Sequence, residues 1–455
     1  MDTIIKNGLI VNAHESFTAD VGIKNGIICC IGRELNDGKA RIIDAAGKYV
    51  LPGGVEPHAH FSVPFFGTVS CDDYTSGTRA AAFGGVTTVL DFATQEKGRS
   101  LDETAKARIA MAQDKTYVDY SFHLIITDPS DDVLAEIPRM VGLGFPSMKV
   151  YMVYKKEGLM VNDAQMYRIL KKTKSCGALL SVHTENPDII DMFTDEFLAK
   201  GLTSAWYHSL SRPDFAAAEA GKRVIHWARS LKAPLYIVHV SDWETMAEIR
   251  KAQSDGYPVY AEICPQYLNF TDEVYKRPDA QRFICSPPMK GEDSRSALWA
   301  AVRDGTVSSL GSDHCPFMAA EKDADKPFPL IPNGLMGIET RYSYILSEAI
   351  KGSLSLNRAV DIGSAGPAKL FGCCNKGSVE VGKDADIVIW DPCKKYTVSQ
   401  SGNHSEVDHT IWEGYENYGA IEMTLCRGEV LVENGILKAE KGFGKLVRRY
   451  PSTLS

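Results

Sequence analysis

Five residues able to bind metals or move protons stand at or near the ends of short apolar segments. Histidine nitrogens and aspartate oxygens are ligands of divalent transition metals. Taken singly, each histidine is more readily explained as a hydrogen-bonded core residue or an incidental His-x-His pair. Gathered at one edge of one fold, they would form a metal centre, and the joint pattern favours that interpretation. They are His58 and His60 in "YVLPGGVEPHAH", His183 in "ALLSVH", His239 in "LYIVHV" and Asp313 in "VSSLGSDH".

Lys149 lies in "FPSMKVYMVY", a mostly apolar run typical of a buried strand. A buried ammonium costs several kcal/mol unless it is paired or neutralised. The lysine either reaches water from the strand end or stays neutral and adds CO2. Addition of CO2 gives N6-carboxylysine, whose two oxygens can bridge two divalent cations. A bridging hydroxide would balance the remaining charge. Nitrogen and oxygen ligands suit Zn2+, Mn2+, Co2+ or Ni2+, and we expect zinc.

The elements that would position these residues alternate along the chain. Eight strand-like runs lie between residues 49 and 314, separated by helical segments such as 162–176, 242–255 and 292–304. This order predicts an α/β fold of the (β/α)8 TIM-barrel type, with an open doubly wound sheet as the alternative. No GxGxxG or GxxxxGK[ST] motif follows the early strands, so a nucleotide-binding sheet has no support.

Both ends of the chain are rich in short strands and differ from the middle. Asn7-Gly8 and Asn25-Gly26 are hairpin signals, and "GSVEVGKDADIVIWD" continues the style near the other end. We therefore expect one small β-sandwich domain built from residues 1–50 and 375–455. The catalytic barrel would occupy residues 51–374.

Composition narrows the function class. The 455 residues are 44% hydrophobic and 24% charged, with a formal charge of −8 and no basic stripe. Nucleic acid and membranes are therefore not expected as partners. The eleven cysteines form no CxxC motif, and no secretory signal or run of about 20 apolar residues is present. These features predict a cytoplasmic protein with reduced thiols.

The motif series resembles that of the cyclic amidohydrolases, and within them it is most similar to dihydropyrimidinases and D-hydantoinases. The motifs run in order from about residue 50 to 341. They are "GGVEPHAHF", "KVYMVY", "SVHTEN", "YHSLSRP", "LYIVHVSD", "EICPQYL", "CSPPMK", "GSDHCPF" and "IPNGLMGIETR". The β-rich ends match the small sandwich domain of that family.

The resemblance implies a binuclear metal centre. His58, His60 and Asp313 would bind one ion, and His183 and His239 the other. Carboxylated Lys149 and a hydroxide would bridge them, and Asp313 would also shuttle the proton. Family members are commonly homotetramers.

The same resemblance implies hydrolytic ring opening of cyclic amides or imides to N-carbamoyl amino acids. Tyr154 matches the tyrosine that donates a hydrogen bond to the substrate oxygen. Ser286 and Asn333 match positions that hold the ring. We hypothesise that Phe65 and the loop 155–160, with Leu159, contact the ring substituent.

Alternatives remain at the level of substrate. Apolar Phe65 and its neighbours stand where dihydroorotases usually carry an arginine, which favours a neutral ring. Met336 leaves the choice between 5-substituted hydantoins and dihydropyrimidines open. An allantoinase-like enzyme is one rival. The other is a non-catalytic scaffold like the collapsin response mediator proteins, which is disfavoured because all six ligand positions are filled. The block 207–213 has no assigned role.

Overall fold

The centre of the molecule is an eight-stranded parallel barrel. The computed structural model describes residues 1–452, and its largest sheet pairs the eight strands in sequence order, with helices between them. The predicted TIM-type barrel is therefore confirmed. Its strands are Gly54–Ala59, Val86–Thr94, Asp119–Ile125, Ser147–Tyr151, Leu179–His183, Leu235–Ile237, Val259–Ile263 and Val307–Leu310.

The barrel closes between its first strand and the segment that follows its last strand. Ala59 forms a parallel bridge with His314, and the His60 amide donates to the His314 carbonyl oxygen over 2.8 Å. This closure places Asp313 beside the His-x-His pair, although about 250 residues separate them in sequence.

Two of the predicted helices begin at a capping side chain. The predicted helix at 162–176 is Asp163–Ser175, capped by Asn162, and the one at 242–255 is Trp243–Ser254, capped by Asp242. No helix within residues 1–452 combines the length and apolar character that crossing a bilayer requires. The remaining α-helices are Tyr74–Phe83, Leu101–Ala112, Asp131–Gly142, Pro187–Ala199, Ala205–Leu210, Asp214–Leu231, Pro265–Asn269, Glu292–Asp304, Ile338–Ile350, Leu356–Val360 and Gly366–Leu370.

Two further sheets form the small β domain from both chain ends. Strand Tyr49–Pro52 lies inside the seven-stranded sheet, between a strand from the N-terminal part and one from the C-terminal part. It runs across the predicted boundary at residue 50, and the domain limits themselves stay a prediction. The sheets contain Ile27–Gly32, Asp20–Lys24, Thr3–Lys6 and Arg41–Asp44, and Ile436–Leu437, Glu429–Glu433, Glu416–Cys426, Ile387–Thr397, Tyr49–Pro52, Leu9–Val11 and Ser16–Thr18.

The C-terminal tail returns to the barrel. Leu446 forms a parallel bridge with Tyr120, near the start of the third barrel strand. Three residues later Arg449 is 1% exposed and donates to Ser147 Oγ over 2.8 Å and Ser121 Oγ over 3.0 Å. The tail thus packs against the end of the barrel opposite the histidines.

Candidate metal centre and active site

A cavity of about 410 Å³ lies at the carboxyl ends of the barrel strands. Active sites of TIM barrels lie at this end. The structure brings every residue predicted for the metal centre and the substrate site to the wall of this one cavity, whereas their individual roles stay predictions. These residues are His58, His60, Phe65, Lys149, Tyr154, Leu159, His183, His239, Ser286, Asp313 and Asn333.

Asp313 joins the two histidines of the first strand. One carboxylate oxygen, Oδ1, lies 3.0 Å from His58 Nε2 and 3.3 Å from His60 Nε2. The three side chains present ligand atoms within 4.8 Å of one another, which is close enough to share one metal ion. His58 Nδ1 is 2.6 Å from Glu262 Oε1, so Nε2 is the nitrogen left for the cavity.

Gly311 makes room for that arrangement. A Cβ atom at this position would lie 2.7 Å from the Glu262 carboxyl carbon and 3.1 Å from the His58 Cβ. Any larger residue would therefore push apart the carboxylate and the imidazole that it orients. The glycine in "VSSLGSDH" is a packing requirement of the site.

Lys149 is fully buried, and its Nζ has no hydrogen-bond partner in residues 1–452. The nitrogen lies 4.9 Å from the ring centroid of Phe92 and 5.1 Å from that of Tyr151. Burial lowers the pKa of Lys149 to about 8, against smaller opposing effects of Glu262 and Asp313. An orphaned amine that loses its proton this readily suits carboxylation, and the resulting anion would need cations beside it.

His183 and His239 form the other side of the centre. Their ring centroids are 4.5 Å apart, and that of His239 is 5.4 Å from that of His58. Burial lowers the pKa of both imidazoles, and in His183 it outweighs the opposing effect of the Glu185 carboxylate. Neutral imidazoles retain the lone pair that a metal ligand requires, so these residues also fit a metal centre.

Three of the candidate residues have left-handed backbone conformations. The φ angles are 38° at His239, 51° at Asp313 and 67° at Tyr154. Such angles are uncommon outside glycine and concentrate at functional sites. The turn that follows each strand therefore aims the side chain, and a simple alternation of inward and outward residues cannot predict its direction.

Tyr154, Ser286 and Asn333 surround the mouth of the centre. Asn333 Nδ2 donates to Ser286 Oγ over 2.8 Å, which ties the two loops together. The adjacent Gly334 is required because a Cβ there would lie 2.2 Å from the Cys315 carbonyl oxygen. Burial raises the pKa of the Tyr154 phenol, so the hydroxyl stays protonated at neutral pH and can donate a hydrogen bond.

Phe65 and Leu159 form part of the cavity wall beside Tyr154. The Phe65 and Tyr154 rings pack edge to face with centroids 5.2 Å apart, and the Leu159 amide donates to the Tyr154 carbonyl oxygen over 3.1 Å. Both residues belong to an apolar cluster with Phe92 and Tyr151. This wall is apolar on the side that faces the cavity.

The sequence interpretation missed three buried carboxylates that hold the ligands. Glu262 bonds His58 Nδ1 and the His239 amide, Glu56 accepts from the His58 amide, and Glu185 bonds His183. A signal was present, because Glu56 and Glu262 are charged residues inside apolar strand runs, as Lys149 is. Neighbours that hydrogen-bond metal ligands fix their orientation.

A second group with metal-binding residue types lies at the other end of the barrel. Asp119, Asp386 and Cys426 come together there. Lys376 Nζ already occupies the space between the carboxylates, 2.6 Å from Asp119 and 2.9 Å from Asp386. This cluster is an ion-paired contact between the barrel and the small β domain.

Comparison with known proteins agrees with the geometry. A model of the family described as "Amidohydrolase family" matches residues 49–431. The chain belongs to the amidohydrolase family. D-hydantoinase of Ralstonia pickettii is 39% identical to this amidohydrolase over 454 residues, which covers 99% of each chain.

Solved structures give the same result. Dihydropyrimidinase of Brevibacillus agri NCHU1002 matches with a TM-score of 0.97 and 40% identity over 99% of each chain. L-hydantoinase (dihydropyrimidinase) of Arthrobacter aurescens matches with a TM-score of 0.90 and 30% identity, covering 98% of this amidohydrolase and 100% of that chain.

Proposed function

We propose that this amidohydrolase hydrolyses cyclic amides or imides to N-carbamoyl amino acids, with 5-substituted hydantoins and dihydropyrimidines as its substrates. One observation carries the proposal: an unpartnered, fully buried Lys149 amine in a barrel mouth lined by four imidazoles and Asp313. The full-length similarity of the chain to D-hydantoinases supports hydantoins and related rings as substrates.

Two divalent metal ions fit this set of donors, and we expect both to be zinc. His58, His60 and Asp313 would hold one ion, His183 and His239 the other, and Lys149 carboxylated by CO2 would contact both. When bound, such ions lower the pKa of water toward about 7 and polarise a carbonyl oxygen. Each imidazole would supply one nitrogen lone pair once it is deprotonated, and the carboxylates would balance the charge of the ions.

The protein's own groups would then orient the ring and move one proton. Asp313, ionised because His58 and His60 outweigh the effect of its burial on its pKa, would accept the proton of the attacking water and deliver it to the departing ring nitrogen. The Tyr154 hydroxyl would donate to the oxygen on which negative charge grows, a contribution of about 3 kcal/mol in comparable sites. Ser286 and Asn333 would hold the imide edge.

The charges in the cavity favour a neutral ring. Arg99 and Arg108 also line it, but Arg99 pairs with Glu96 and Arg108 pairs with Asp91, each over 2.8 Å. Both arginines among the described lining residues are therefore already paired, and Lys149 would be an anion once it is carboxylated. A carboxylate-bearing ring such as dihydroorotate would enter this cavity without a partner, and that costs binding energy.

We also propose that the enzyme is a cytoplasmic homo-oligomer, with a tetramer expected from the family resemblance. The reduced-thiol composition and acidic charge support the location. Sedimentation velocity of the purified protein measures the assembly directly, and a monomer would contradict it.

A turnover panel tests the function. Metal-loaded enzyme is assayed on phenylhydantoin, dihydrouracil, allantoin and dihydroorotate, with metal content measured on the same sample. We expect two equivalents of metal and turnover of one or both of the first two rings. Preferred turnover of allantoin would establish the rival enzyme. No turnover with far less than two equivalents would support the scaffold.

A further inference from the structure

The block 207–213 ("YHSLSRP") lies between the two halves of the candidate site. Arg212 Nη1 donates to Glu185 Oε2 over 2.7 Å, and Glu185 is the carboxylate that bonds the candidate metal ligand His183. His208 Nε2 lies 2.8 Å from the carbonyl oxygen of Cys285, the residue before Ser286. One short segment therefore contacts both the metal side and the substrate side.

The contact on the metal side is a buried chain of hydrogen bonds. Glu185 Oε2 lies 2.6 Å from His183 Nε2 and accepts from Arg212 as well. His183 and Glu185 are each 2% exposed and Arg212 is 9% exposed. The Arg212 guanidinium, which is always protonated, pairs with the Glu185 carboxylate over 2.7 Å. An ionised carboxylate only accepts, so His183 Nε2 carries hydrogen and Nδ1 keeps the lone pair.

Arg212 is itself held in place. Its carbonyl oxygen accepts from Lys290 Nζ, and its amide donates to the Ser209 carbonyl oxygen over 3.1 Å. Glu185 is the one carboxylate that pairs with its guanidinium among residues 1–452. The backbone of the block is thus fixed, and the side chain extends from it to one partner.

The contact on the substrate side orients a loop. Burial lowers the pKa of His208 to about 3, so the ring is neutral. Because a carbonyl oxygen only accepts, His208 Nε2 carries the hydrogen and donates to Cys285. The next residue, Ser286, accepts from Asn333, which completes the pair expected to hold the ring.

We propose that the block 207–213 is a positioning element with two separable arms. Arg212 acts through Glu185 to hold His183 with Nδ1 available to the metal pair, and His208 acts through Cys285 to hold the substrate loop. The proposal rests on the proposed function for its substrate arm only. Loss of neighbours that orient metal ligands typically lowers metal affinity about 10- to 100-fold.

The metal arm is tested by metal affinity, without an activity assay. Zn2+ affinity of Arg212→Met, Glu185→Gln and the double variant is measured by competition with a chromophoric chelator. We expect each single variant to bind Zn2+ about 10- to 100-fold more weakly. The double variant should bind Zn2+ no more weakly than the weaker-binding single variant, because both changes remove the same chain of hydrogen bonds.

A matched control removes a surface ion pair near the block. Arg223→Met breaks the pair between Arg223 and Asp163, whose atoms are 2.9 Å apart, and should leave Zn2+ affinity unchanged. Wild-type affinity in folded Arg212→Met, or additive losses in the double variant, would overturn the metal arm. If Arg212→Met fails to fold, Glu185→Gln decides the same question.

The substrate arm is tested by kinetics at saturating metal. His208→Leu should raise KM about fivefold for the ring that the enzyme turns over, which is the effect of one lost hydrogen bond, with wild-type Zn2+ affinity. His208→Gln, which keeps a donor, should recover much of the loss. An unchanged KM in His208→Leu would overturn this arm. Tight Zn2+ binding without any ring turnover would instead contradict the proposed function and leave the metal arm measurable.

Discussion

Lys149 is the residue on which the proposed chemistry depends, because its amine is fully buried with no hydrogen-bond partner in the described chain. A permanently charged lysine there would be costly, and a permanently neutral one would leave Asp313 and the surrounding imidazoles without a bridging anion. Carboxylation with metal binding resolves both problems. Two predictions at the scale of single residues follow from this arrangement.

Replacing the lysine should remove the bridge and leave space for a substitute. Lys149→Ala is expected to lose more than about 100-fold in kcat/KM, beyond the range lost when only a neighbour of a metal ligand is removed. Added acetate or propionate should restore part of the activity, because a small carboxylate can enter the vacated volume. Steady-state kinetics and metal analysis measure both effects. Lys171→Ala, at an exposed lysine of the helix Asp163–Ser175, is the control, and activity of Lys149→Ala near wild type without added acid would disprove the role.

Reconstitution should depend on pH through the same amine. The pKa of Lys149 is lowered to about 8, and only the neutral amine adds CO2, so raising the pH increases the reactive fraction. The CO2-dependent rate of reactivation of metal-free enzyme should rise about tenfold per pH unit below pH 8 and level off above it. The slope of rate against dissolved CO2, measured at each pH, isolates the lysine from histidine titration. A flat profile between pH 6 and 9 would contradict the assignment.

The sequence was informative about charged residues inside apolar runs and less so about their partners. Lys149, His58 and Asp313 could be singled out because each interrupts an apolar run or ends one. Glu262 shows the same signal, but its partner His58 lies two hundred residues away and meets it only through barrel closure. Arg212 lies in the motif "YHSLSRP", but the sequence gave it no role, because its role depends on a contact made in the folded protein.

At the scale of elements, strand order and helix limits follow from local pattern, whereas loop geometry does not. The eight strand runs were recognisable because apolar runs alternate with helical segments, several of which end at a glycine. The short hairpin Pro64–Phe65 and Thr68–Val69 was not predicted, since two-residue strands carry no periodicity. This hairpin places Phe65 against Tyr154, in the wall that we propose contacts the ring substituent.

That hairpin yields a prediction about specificity. Phe65→Ala should lower kcat/KM for phenylhydantoin about tenfold, because an aromatic substituent loses its packing partner, and should leave dihydrouracil little changed. Val69→Ala, on the paired strand and 49% exposed, is the matched control. Competition assays with both rings give the ratio directly. An identical ratio in wild type and Phe65→Ala would remove Phe65 from the substituent wall.

At the scale of the whole molecule, both chain ends pack against the barrel. The strand Tyr49–Pro52 joins the N-terminal and C-terminal parts in one sheet, and Lys376 pairs with Asp119 of the barrel and Asp386 of the small domain. The β-rich ends indicated the small domain. The packing of the C-terminal tail against the end of the barrel opposite the histidines could not be predicted. Arg449 lies in a polar terminal segment that resembles a free tail.

Arg449 should therefore stabilise the end of the barrel that lies opposite the histidines. Its guanidinium is 1% exposed and donates to two serines, Ser121 and Ser147, and to the Phe122 carbonyl oxygen. Arg449→Met keeps the length of the side chain but leaves these buried acceptors unpaired, which costs about 1–3 kcal/mol for each unsatisfied group. We expect the thermal midpoint to fall by several degrees. Arg448→Met is the control, since Arg448 makes an exposed contact with the Gly142 carbonyl oxygen. Equal midpoints for the two variants, measured by scanning calorimetry at one scan rate, would show that the tail does not secure the barrel floor.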